Sequence, residues 1–205
     1  MIMQVNSSEG ICGTDQGVYK MTKRILSKHA GFIAVGSGLI AASLYLVMIT
    51  VTLAHLQEIS GQVPFDMRPF GYGPIEVATL LDLLGAEGRE YYLSRQITLD
   101  TVYPAMLALT LISTILWFGQ RIPNRRPIHI GVALSAGSAL LDYVENLGIL
   151  AMILSWPEVS VPLVYAVSTA TILKSIATTL AVVLVLLVGF NWARQSKSRH
   201  SHISR

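Results

Sequence analysis

Four apolar runs, Phe32 to Ala54, Thr101 to Phe118, Ile130 to Leu154 and Val161 to Phe190, limit what this chain can fold into more than any other feature. Crossing a hydrocarbon core about 30 Å thick takes about 20 helical residues. Each run meets that length or comes close to it. With 52% hydrophobic and only 13% charged residues among 205, and a mean hydropathy of +0.55, the composition lies outside that of soluble domains. The expected fold is all-α: a polytopic membrane protein built as a four-helix transmembrane bundle. The domain reading is a cytoplasmic N-terminal segment over 1–31, one membrane domain over 32–190 and a basic cytoplasmic tail over 191–205.

Lys20, Lys23, Arg24 and Lys28 precede the first run as they would in a secretory signal. That run exceeds the roughly 7 to 15 residues of a signal's apolar region, so it reads as a retained signal anchor. Arg121, Arg125 and Arg126 separate runs two and three, and Arg194, Lys197, Arg199 and Arg205 follow run four. Eleven basic residues thus fall on one side, whereas the other side has Arg68, Arg89 and Arg95 against eight acids. The positive-inside rule makes both termini of this multi-pass chain cytoplasmic and turns the long first loop outward. Orientation in the membrane accounts for the net charge of +3, so nucleic acid is not an expected partner. The single Cys12 excludes an internal disulfide and a CxxC motif.

The outer loop, His55 to Asp100, is expected to begin irregularly around Pro64, Pro69, Gly71 and Gly73. Pro74 suits the first turn of a helix through Leu84 that Gly85 ends. A second short helix over Ala86 to Gln96 would place Tyr91 and Tyr92 at the membrane interface. Together they predict an amphipathic hairpin over the outer mouth of the bundle, or a surface loop that only connects two spans.

Inside the third run, Ser138, Asp142, Glu145 and Asn146 recur at helical spacing and form one polar stripe. Asp142 lies about 18 Å and Glu145 about 14 Å from Leu154, and Lys174 lies about 20 Å from Val161. The intervening turn is short, so the two helices are expected to be neighbours with Lys174 level with Asp142. A charge at bilayer depth costs roughly 3 kcal/mol and usually marks a site. Two carboxylates and one ammonium predict that one acid keeps its proton while the other pairs with Lys174. Tyr103, Thr171, Ser175 and Ser138 are candidate supports. Asp66, Arg68, Arg89 and Asp100 form a candidate outer-loop site, an anion or headgroup clamp, with ordinary loop salt bridges as the alternative.

Other signals carry less. Ala34, Gly38 and Ala42 make a small-residue face for close helix approach. His29, His55 and His129 do not pair in depth as a bis-His haem requires, and no Glu-x-x-His pair completes a di-iron bundle. Gly85 and Gly88 lack the context of a phosphate loop. No metal or cofactor is expected.

The stretch FDMRPFGYGPIEVATLLDLLGAEGREYYLSRQITLDTVYPAMLALTL, with LLDYVENL in the third run and TILKS in the fourth, resembles a group of uncharacterised bacterial four-span inner-membrane proteins. The likeness runs from about Pro64 to Ser175. It implies the same topology and a pattern comprising Asp142, Glu145, Asn146, Lys174, Asp66, Arg68, Gly88, Arg89 and Asp100, and it implies no activity. The layout is also loosely similar, at the level of fold alone, to sterol isomerase and sigma-2 receptor type proteins, which hold a lipid-like amine or sterol among buried carboxylates.

Three readings of function follow. The first is a protein with a proton-sharing Asp142, Glu145 and Lys174 site that binds or modifies a small lipophilic molecule entering beneath the hairpin. A second is an assembly protein whose buried ion pair fixes helix register. The third is a proton-coupled carrier acting as an oligomer. Expected partners are membrane lipids, a small lipophilic ligand, and a second copy or another membrane protein.

Overall fold

A computed structural model describes residues 12–120 and 124–203, with side chains over 29–120 and 124–194. Cys12, Lys20, Lys23, Arg24, Lys28, Arg121, Lys197, Arg199 and Arg205 lie outside the residues whose side chains are described. Four helical runs are long and apolar enough to cross a membrane: span one, His29–Ser60; span two, Pro74–Gly119; span three, Arg126–Leu154; and span four, Val161–Arg194. No strand occurs among the described residues. The chain is therefore an all-α four-helix bundle of the multi-pass membrane type. Span one packs along span two, two along three and three along four, and span two also touches span four, which places it inside the bundle.

Small residues let the helices close in. Ala30, Ala34, Ser37 and Ala41 are buried, and the Ser37 hydroxyl accepts from Thr110 of span two at 3.0 Å. Of the expected Ala34, Gly38 and Ala42 face, Ala34 lies in this seam and Gly38 sits against Thr110, whereas Ala42 is exposed. Gly148 brings span three onto span four so closely that a Cβ there would enter the Val167 side chain. Gly148→Ala is expected to lower the midpoint of a thermal melt in detergent by several degrees. Gly137→Ala, with nothing within 4 Å of its Cβ, is expected to raise it slightly through helix propensity.

The long connection differs from a hairpin lying over the bundle. Span one ends at Gly61, which caps it in the left-handed region (φ 63°). The chain then dips back between the helix ends through a short 3-10 turn, Phe65–Met67, with Phe65 fully buried. Pro74 starts a helix as expected, and Glu76 accepts from the Gly73 N–H at 2.6 Å, closing half a capping box. Gly85 (φ 62°, ψ −172°) breaks the helix, also as expected. The segment after it is no separate short helix. It runs through a π turn, Tyr92–Gln96, straight into the apolar helix Ile97–Gly119. Span one carries a second π turn, Met48–Thr52.

The main apolar core lies at this loop-side end. Leu56, Phe65, Val77, Leu80, Leu81, Leu84 and Tyr92 pack there against Ile149, Met152, Val164 and Val167 of spans three and four. The connection is thus a lid with its own share of the core, and its fully buried Tyr92 does not face the membrane interface.

Candidate functional site

Spans three and four bring the predicted cluster together. The Lys174 ammonium lies 3.2 Å from Asp142 Oδ1 and also contacts Glu145 Oε2. The pairing differs from the expected one acid per lysine, because the ammonium sits between both carboxylates. Thr171 donates to Glu145 Oε1 at 2.8 Å. Ser175 bonds back to the Thr171 carbonyl of its own helix at 2.9 Å. Ser138 pairs with Thr178, nearer the terminal end of the bundle. Asn146 donates to the Asp100 carbonyl at 3.0 Å, which ties span three to span two, while its buried Oδ1 meets no protein donor.

The loop quartet separates into two pairs. Arg68 donates to the Val63 carbonyl at 2.8 Å and to Glu76 at 3.2 Å, holding the dip in shape. Arg89 donates to the Leu81 carbonyl at 2.7 Å, an acceptor next to the break at Gly85, and lies over the Trp156 ring at 5.9 Å. Neither arginine joins Asp66 or Asp100, so the four do not form an anion clamp. The two acids instead line the same cavity as Asp142 and Lys174.

Asp66 reaches that depth because of the dip. Gly71, at φ 83°, lies directly on Ser168 and Ile172 of span four, and the Tyr72 N–H donates to Ser168 Oγ at 2.9 Å. Ser168 and Ile172 lie about 10 and 17 Å along the helix from Val161. Internal bonds from Met67, Arg68 and Gly71 N–H groups to Pro64, Phe65 and Arg68 carbonyls satisfy this irregular backbone, as its burial requires. Tyr92 and Gln96 Nε2 (3.3 Å) donate to the two Asp66 oxygens, and Thr52 donates to Gln96 Oε1. The two π turns therefore meet across this chain of bonds, in keeping with the frequent placement of π turns at functional sites. Burial raises the Tyr72 phenol above its ordinary pKa and the Glu145 carboxylate adds to this, so the hydroxyl stays neutral.

The cavity measures about 330 Å³. Asp66, Asp100, Asp142 and Lys174 form its polar wall, and Tyr45, Met48, Ile49, Leu53, Met67, Pro69 and Tyr103 the rest. Tyr45 and Tyr103 stack there with centroids 5.8 Å apart. His55 packs instead on Tyr91 at 4.6 Å and does not line this space. Among the described residues no group of three or more His, Cys, Asp or Glu is placed to hold a metal ion.

Thr52, Tyr72, Tyr92 and Gln96 escaped the sequence reading as site residues. For two of them a signal existed: Tyr92, Gln96, Asp100 and Tyr103 recur at spacings of four, four and three, the same stripe rule that picked out span three. Comparison with family models, with curated proteins and with solved structures gives no match to this chain.

Proposed function

We propose that this protein holds a small lipophilic molecule in the cavity between its spans, where Asp66 and Asp100 border a proton-sharing cluster of Asp142, Glu145 and Lys174. One observation carries the reading: two carboxyl groups contact one ammonium and two more line the same mostly apolar cavity. That imbalance is unfavourable away from water unless protons or a bound cation offset it. Asp66 and Asp100 both line the cavity with Asp142, and a ligand with a basic or cationic group on an apolar body complements the site. A protonated acid facing a carboxylate is also the arrangement that general acid–base chemistry uses. The protein is placed, on this reading, in a bacterial inner membrane with both termini cytoplasmic, since the basic residues flank the terminal side of the spans.

Native mass spectrometry of protein extracted in mild detergent tests this. A discrete small-molecule mass is expected on the parent chain and is expected to be lost in Asp66→Asn with the melt retained. Bulk phospholipid alone on both would sink the reading.

A second reading, a structural latch that fixes helix register, draws support from the contact of both Asp142 and Glu145 with Lys174. It gives no role to the cavity or to the Asp100 carboxyl group that lines it, which is why it ranks second.

A further inference from the structure

The cavity has two unlike ends. Asp100 and Asp142 are buried at one end. At the other, Tyr45 of span one and Met67 of the dipping segment line the cavity and are also 50% and 43% exposed, so the space opens between them. Exposed apolar side chains follow both residues in the chain, Leu46 directly after Tyr45 on span one and Phe70 (92% exposed) three residues after Met67. These are continuous with the outward apolar face of span one, in the run that crosses the bilayer. Tyr45 lies about 13 Å inside the end of that run at Ala54, a level where the surrounding medium is hydrocarbon. A cavity opening there meets lipid chains before it meets water.

We infer that the cavity opens sideways into the bilayer between span one and the dipping segment, and that its mouth admits a hydrocarbon chain. The occupant is an amphiphile, its polar head against the carboxyl groups and its tail leaving past Met48 and Met67 into the membrane. The inference rests on the cavity reading above and adds the ligand's class and its route. A route through water would leave the carboxyl groups open to it; here Asp100 and Asp142 are buried and Asp66 is half-buried.

The test uses the full chain in nanodiscs of phosphatidylcholine in which some acyl chains carry a diazirine, with photolabelled residues located by peptide mass spectrometry. Labels are expected on Met48, which is only 3% exposed, and on Met67, besides the exposed Leu46. Tyr45→Trp, a larger ring at a half-exposed mouth, is expected to cut labelling of Met48 at least threefold while leaving Leu46 unchanged. Labelling confined to outward positions such as Leu39 and Leu186, with Met48 unmarked in the parent chain, would overturn the sideways opening. Asp66→Asn separates this result from the charge-based reading: if tail labelling of Met48 persists there while the co-purified ligand also persists, head recognition by Asp66 is wrong and the route still stands.

Discussion

Lys174→Met is expected to destabilise the folded bundle by about 3 to 5 kcal/mol, the scale for removing one partner from a buried charge network. The ammonium is the counter-charge to Asp142 and Glu145 together, and Asp66 and Asp100 border the same cavity. Its loss strands carboxylates where water cannot replace it. Unfolding followed by circular dichroism in a graded detergent series measures the cost. The triple variant Lys174→Met, Asp142→Asn, Glu145→Gln is expected to regain most of it, because the stranded charge disappears along with its partner. A single variant as stable as the parent would mean that the acids are already neutral, and the ammonium would then not be what holds spans three and four in register.

Gly71→Ala carries the second large effect, an expected loss of about 2 to 4 kcal/mol. Two penalties coincide at this residue. Its φ of 83° lies in the left-handed region, and a Cβ would fall on Ser168 Oγ and the Ile172 side chain. Gly61 isolates the first penalty, since its φ of 63° faces open space; Gly61→Ala is expected to cost only about 1 kcal/mol. Adding Ser168→Ala to Gly71→Ala removes the nearest clashing atom together with the acceptor of the Tyr72 N–H, so only a small recovery is expected in a thermal melt. If Gly71→Ala and Gly61→Ala cost the same, the dipping segment is not seated on span four as described.

The sequence disclosed the spans and half of the site, for reasons that can be named. Run length and charge asymmetry depend on neighbours in the chain, and the meeting of Lys174 with Asp142 and Glu145 depends only on helical rise and a short turn. Asp66 was legible as a residue but not as a member of the cluster. Its position depends on the bond between Tyr72 and Ser168, 96 residues apart, and on a close approach that only Gly71 permits. Arg68 and Arg89 look like anion ligands in a sequence, whereas the fold needs them for loop carbonyls at Val63 and Leu81. The break at Gly85 was readable because glycine is the residue that tolerates it; the helix beyond it merged with span two because nothing between Ala86 and Ile97 stops a helix.

Neither Met48–Thr52 nor Tyr92–Gln96 announces a π turn by composition. Each amounts to one surplus residue in an α-helix, and a residue of helix is worth about 100° of rotation. Rewinding Met48–Thr52 as plain α-helix with every residue kept would swing Leu53 and Leu56 out of the core, whereas deleting the surplus residue would leave both facing as they do now. The aim of Asp66 is therefore written as an angle, in two helices that do not contain it.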